Sequence, residues 1–434
     1  MAQAQLHVER IVLAPDWVDD TSIEYPRELS ALLEADEDLQ IYGVFDGTRR
    51  ADVLGLNDLD TLTPEVGAAP LFQHDADEGE AGPWLLSFGR GTGAQAAVLR
   101  DHFCKFHGQG VGILLLTDAD ESELRSHLRG LVKVARAPDS TSMVFLRYWD
   151  PLVANEFLPS LATQPTRFER FHFTQQGTPV HVVAEHNADE MTLIHVSGRA
   201  SRTGVRKYFT LEAPDGPVMD RIARIGLEKN LTRWLVRDYP DELFAGAARD
   251  ALGPHILREG TRFGFTRQDE FAYLGHLMVH FGGWFHQSGQ VTVLTDILQS
   301  DRRAKQVPLR AAFSDAWTGS YRAVLRDFKN PLLSDARLIV DDTLTKDREV
   351  LAACLHTHVP VDRQDPFRHL WKKSQGPLAS AGAPDTHWAC LAFLSLFWGY
   401  KFYEDPFLGR VHPPQSAQEW DDVCNDFWKA LIDV

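Results

Sequence analysis

Residues 110–134 read GVGILLLTDADESELRSHLRGLVKV. Val111–Leu116 is apolar on both alternating faces, which predicts a strand buried on both sides. Asp118, Asp120 and Glu121 follow, acids suited to the first turn of a helix. Ser122–Ala135 then carries Leu124, Leu128, Leu131 and Val132 at three- and four-residue spacings, the stripe of an amphipathic helix.

The flanking sequence extends the pattern. Glu28–Ala35 reads as a short helix. Ile41–Phe45 (IYGVF) reads as a strand that stops at the turn pair Asp46-Gly47, and Trp84–Phe88 (WLLSF) as another. Met143–Tyr148 predicts a fourth strand in one mixed sheet. Asp150-Pro151 then supplies an N-cap and a first-turn proline for a helix to about Leu158. Four segments after it (168–173, 179–186, 191–198 and 206–211) are β-prone and separated by Gly, Asn and Asp. From Pro217 the chain turns helical, with helices expected at 218–237, 241–258, 266–287, 291–300, 308–328, 346–357, 384–403 and 416–432. The fold class is therefore α+β: an N-terminal α/β lobe over 1–165, a β-rich connecting segment over 166–214 and a helical lobe over 215–434. The boundary is placed near 212–217, where turn formers cluster.

Composition narrows the function classes. The chain has 434 residues, 44% of them hydrophobic and 24% charged, as a folded globular protein requires. Its net charge is −17, and residues 1–150 hold 26 Asp+Glu against 12 Lys+Arg. Such an excess repels polyphosphate and anionic lipid, so neither nucleic acid nor membrane insertion is expected. Four scattered cysteines form no CxxC pair and suit a reducing compartment. The first twenty residues lack a cationic segment followed by an apolar run, and the longest apolar stretch, Trp388–Trp398, is about half of what a bilayer needs. A cytoplasmic location is expected.

Candidate chemistry is sparse. Gly89-Arg-Gly-Thr-Gly93 follows a strand and precedes a helix-like run, as a dinucleotide-binding loop does. The fingerprint's sixth-position glycine is missing, and a surface turn is the competing reading. His276 and His280 share a helix face, but Leu277 stands where a zinc protease needs glutamate. No nucleophile elbow or P-loop occurs, so no catalytic residue, metal or cofactor is assigned. One gapless internal match lays Phe271–Phe285 over Trp388–Phe402 and pairs Phe281 with Trp398 and Gly282 with Gly399, which suggests a duplicated helix.

The segments IYGVFDGTRR (41–50), APLFQHD (69–75), GPWLLSF (82–88), 110–134 and MVFLRYWDPLVANEFLPSL (143–161) together resemble the domain of unknown function 4123 family, the adaptor chaperones of bacterial type VI secretion effectors. The closing signature is Arg147-Tyr148-Trp149-Asp150-Pro151, with Asp46 at the first turn. Leu231–Pro240, Gly264-Phe265 and the Phe271–Phe285 stripe resemble the family's helical extension. The resemblance implies no catalysis. It implies a cognate effector protein and the spike protein of the secretion apparatus as partners. Of the 11 Trp and 25 Phe, Trp284, Phe285, Tyr400, Phe402 and Tyr403, at the ends of the two matching helices, are the residues expected to line a partner groove. A nucleotide-dependent enzyme using Gly89–Gly93 is the alternative.

Overall fold

The fold was analysed on a computed structural model, which describes residues 4–14, 26–50, 59, 66–72, 82–137, 143–198, 200, 209–239, 246–287, 297–300, 376, 378–384, 391 and 401–432. The chain is α+β and divides into two compact units, Met1–Arg224 and Ile225–Val434.

The first unit opens with strand β1 (Gln5–Val12), which no sequence expectation covered. Helix α1 (Arg27–Ala35) leads to β2 (Gln40–Asp46), β3 (Gly67–Pro70) and β4 (Pro83–Gly89). Helix α2 (Ala94–Asp101) ends in a single π-type turn, His102–Phe106. Then come β5 (Gly112–Thr117), α3 (Glu121–Val132), β6 (Lys133–Arg136), β7 (Met143–Phe145), α4 (Pro151–Phe157), α5 (Pro165–His172), β8 (His181–Glu185), β9 (Glu190–Ser197) and β10 (Thr210–Leu211). Seven strands form a sheet in the order β1-β9-β8-β5-β2-β4-β3, and each neighbouring pair is antiparallel.

Strand alternation divides the core between the sheet's two faces. Tyr42, Val44, Ile113, Leu115, Val182 and Ile194 pack with α3, α4 and α5 through Leu124, Leu128, Phe157, Phe168 and Phe171. Ile41, Phe45, Leu86, Phe88, Leu114 and Leu193 pack with α1 and α2 through Leu29, Leu33 and Leu99. β5 is buried at every position, as its unbroken apolar run predicts.

Three expectations are corrected. The helix expected to reach Ala135 stops at Val132. There the apolar stripe ends, and Lys133–Arg136 pairs as a strand, with Val134 and Ala135 buried. Met143–Tyr148 is a strand only to Phe145, and it joins a separate three-stranded sheet, β10-β6-β7, which contains the parallel pair β10–β6. The anticipated single mixed sheet is thus an antiparallel sheet and a smaller one. Residues 168–172 belong to a helix, because Pro165 sits in its first turn and Phe168, Phe171 and His172 fall on one buried stripe, and only Phe173 is extended. The stretch 166–214 also supplies β8 and β9 to the large sheet.

Helix α6 (Gly216–Asp238) spans the division between the units. The second unit continues with α7 (Gly246–Arg262) and α8 (Gln268–Phe281), whose core includes Leu231, Leu235, Leu252, Ile256, Leu274 and Leu277. Its last helix is α9 (Ala417–Ile432), which contributes Trp420 and Val423 to a cluster with Phe402 and Tyr403. The helices expected over 308–328 and 346–357, and most of 384–403 with the second copy of the matching helix, lie outside the described residues.

Candidate functional site

Asp46 ends β2, and the surrounding fold closes on it. Its N–H donates to the Val111 carbonyl at 2.8 Å, and its own carbonyl accepts from Arg49 and Arg50 N–H at 3.1 and 3.0 Å. The side chain is buried. One carboxylate oxygen accepts from the Thr48 N–H at 3.0 Å and from the Thr48 hydroxyl. The other accepts from the Arg147 guanidinium and from Trp149 Nε1, the latter at 3.3 Å. Burial alone would raise this acid. The Thr48 hydrogen bond, the Arg147 charge, Trp149 and Arg49 outweigh it and hold Asp46 below its ordinary value.

Asp150 answers from the other side. Arg49 donates to the Gly110 carbonyl at 2.7 Å and forms an ion pair with Asp150 at 3.0 Å. Asp150 also caps α4, with its other oxygen accepting from Leu152 N–H at 3.0 Å, and Pro151 fills the first helical position. Trp149 is buried and packs edge-on to Tyr148, with ring centroids 5.3 Å apart. The structure thus brings together Asp46, Arg147, Trp149, Asp150 and Pro151. Sequence reasoning did not find Arg49, although it lies in the quoted FDGTRR run. A carboxylate with four donors on it, beside one committed to a helix cap, is poorly placed to move a proton. The arrangement fixes β2, the end of β7 and the start of α4 to one another.

The Gly89–Gly93 loop has a structural task as well. Gly89, Gly91 and Gly93 all take positive φ, open to glycine at low cost. Arg90 turns back to the end of α1, where its guanidinium donates to the carbonyls of Leu33 at 2.9 Å, Asp36, Glu37 and Leu39. These carbonyls lie at or just beyond a helix C-terminus and attract a cation. β4 is antiparallel to both its neighbours, unlike the parallel strand that precedes a dinucleotide loop.

Four of the five aromatic residues expected to line a groove are interior to the second unit. Trp284, Phe285, Phe402 and Tyr403 are all buried, and Tyr400 lies outside the described residues. The Trp284 ring lies 5.6 Å from the Arg258 guanidinium and 5.2 Å from the Lys401 ammonium, and edge-on to His255 at 4.9 Å. Beside it, buried Asp405 accepts from Gly283 N–H at 2.7 Å and Phe407 N–H at 2.9 Å. Burial pushes this acid up to about 7, against the pull of the Phe407, Gly283 and Trp284 N–H groups. Gly283 is required here, since a Cβ would stand 2.7 Å from both Asp405 and His255. The Gly282-Gly283 pair was the available sequence signal for this joint. His276 is buried against Trp234, bonded to the Tyr239 hydroxyl, and nothing is described of the His280 side chain. Among the described residues, no group of His, Cys, Asp and Glu is placed to hold a metal ion, and no helix is long and apolar enough to cross a membrane.

One surface was not anticipated. On β7, Met143 and Phe145 are 41% and 67% exposed, beside Lys133 of β6, whose ammonium lies 5.4 Å from the Phe145 ring. Two residues on, partly exposed Arg147 carries this outward-facing row to the Asp46 corner.

A family model described as a domain of unknown function (DUF4123) matches residues 41–167, which contain Asp46 and the whole Arg147–Pro151 corner. No curated protein and no solved structure matches the chain.

Proposed function

We propose that the chain is a non-enzymatic adaptor chaperone: it binds a cognate type VI secretion effector, stabilises it and helps load it onto the spike protein. The observation that carries this reading is the alliance of a locked corner with an exposed apolar edge. The Asp46–Arg147–Asp150 network spends its charged groups on holding backbone elements, and the strand that enters it presents Met143 and Phe145 to solvent. Large exposed apolar side chains beside an arginine are the composition that protein interfaces favour. The family match supports the reading through its position, since it covers this corner.

The test is co-expression with the product of the neighbouring gene, followed by co-purification. Replacing both Met143 and Phe145 with glutamate should abolish capture while the circular dichroism spectrum stays unchanged. Capture that survives the double substitution would move the contact elsewhere. Failure of the wild-type protein to retain effector and spike protein would overturn the chaperone reading.

A further inference from the structure

β1 is the outermost strand of the large sheet. Its ladder with β9 runs without a break from Gln5 opposite Ser197 to Val12 opposite Glu190, and Leu13 N–H continues it to the Asp189 carbonyl at 2.8 Å. Residues of an antiparallel strand alternately turn both backbone polar groups toward one neighbour and both away. Leu13 turns toward β9, so Gln5, His7, Glu9 and Ile11 do too. Leu6, Val8, Arg10 and Val12 therefore point their N–H and C=O groups outward, and among the described residues no hydrogen bond takes them. The side chains of Val8 and Val12 are 46% and 65% exposed. Proteins usually blunt such an edge with brevity, proline or a bulge. The opposite edge, β3, is four residues long and ends in Pro70. β1 is eight residues long and has neither a proline nor a bulge.

We propose that β1 pairs antiparallel with β1 of a second copy of this chain, around a two-fold axis at Val8, joining two sheets into one. An axis perpendicular to the sheet keeps each side chain on its own face, so outward-turned residues must meet outward-turned residues. Centred on Val8, the register sets valine against valine, Leu6 against the stem of Arg10, Gln5 against Ile11, and His7 against Glu9. The His7–Glu9 pairing of opposite character occurs twice. Centring on Glu9 or Arg10 sets like charges face to face, and centring on His7 shortens the ladder and opposes two histidines. Glu9 already lies 3.4 Å from His195, on which His7 stacks at 4.9 Å. The second copy's His7 therefore joins a carboxylate–imidazole grouping already present in each chain.

Sedimentation of the full chain over a concentration series tests this. The expected result is a monomer–dimer equilibrium, since one strand pair is a small interface. Val8→Pro removes an outward N–H in each copy and leaves the β1–β9 bonds, which use the alternate residues, intact. It should weaken the dimer by roughly tenfold or more with an unchanged circular dichroism spectrum. Val8→Cys should give a disulfide-linked dimer on oxidation, because position 8 faces itself across the axis at about 5.5 Å between Cα atoms. Val12→Cys should not. A wild-type chain that stays monomeric throughout, a dimer equally tight in a folded Val8→Pro variant, or cross-linking at Val12 rather than Val8 would each overturn the proposal. The cysteine pair decides the question if the proline variant misfolds.

Discussion

Asp46 and Arg147 stand 101 positions apart and meet in an ion pair at the end of β2. The contact joins the first turn of the matched region to its closing signature. Two segments remote in sequence, one near each end of the matched region, are thereby required to be adjacent.

Asp46→Asn should therefore destabilise the first unit. The amide keeps one acceptor where the carboxylate has two, so it cannot serve Thr48, Arg147 and Trp149 together. The expected loss is about 1–3 kcal/mol, as for a buried acceptor engaged by charged donors. Arg147 is nearly half exposed, and solvent screening keeps the effect toward the lower end. The folded acid lies below its ordinary value of 3.8, so its stabilisation is present above pH 3.8 and disappears as pH falls through the lower folded value. Urea unfolding of both proteins at neutral and strongly acidic pH reads this, and their difference should shrink in acid.

Asp150→Ala should cost about 1 kcal/mol, the usual loss for a helix N-cap. The partly exposed Arg49 ion pair adds little to that. Thermal unfolding gives the magnitude. A loss of effector capture without loss of stability would instead make Asp150 a partner contact.

Two buried histidines make the same unit sensitive to acid at milder pH. His127 of α3 bonds the Phe171 carbonyl at 2.8 Å, and His172 bonds the Val180 carbonyl at 3.1 Å. The second ring nitrogen of each is buried without a hydrogen-bond partner, so a second proton has no acceptor there. Burial holds both down to about 4, against 6.5 in the unfolded chain. Between those values the unfolded state binds the extra protons, so stability is complete above pH 6.5 and falls as pH drops toward 4. The melting temperature should decrease from pH 7 to pH 5, and less steeply in His127→Gln, which keeps a donor and does not titrate. An equally steep decrease in that variant would place the titration elsewhere.

Local signals carried the strands and the first helices because their apolar spacing matched their final burial. β2, β4 and β5 fall within a residue or so of the expected ranges, and the Asp150 cap forms as its Asp-Pro pair predicts. Residues 168–173 misled because Phe, Arg, Phe and His are as compatible with alternation as with a helical stripe, and Pro165 upstream was the better guide. The corner's second arginine was illegible because Arg49 acts across the fold, on Gly110 and Asp150. The burial of Trp284, Phe285, Phe402 and Tyr403 was illegible for a related reason. The end of an apolar stripe can run out of core, but Trp284 meets Lys401, which comes much later in the chain, and Phe402 packs in a cluster with Leu378 and Trp420.

The glycine-rich loop gives the last prediction, because it separates the adaptor reading from a nucleotide-dependent one. Arg90 faces four carbonyl groups at the end of α1, so its charge is already engaged by the helix terminus. Arg90→Ala leaves those carbonyls to water and should lower stability by about 1–3 kcal/mol, the range for hydrogen bonds made by a charged donor. A ligand that binds only the folded chain raises its stability by about 2.7 kcal/mol at a hundred times its dissociation constant. Wild-type protein heated with excess ATP or NAD should therefore show no rise in melting temperature if the loop serves α1 alone. A rise in the wild type that is lost in a folded Arg90→Ala variant would assign the loop to phosphate binding and favour the enzyme reading instead.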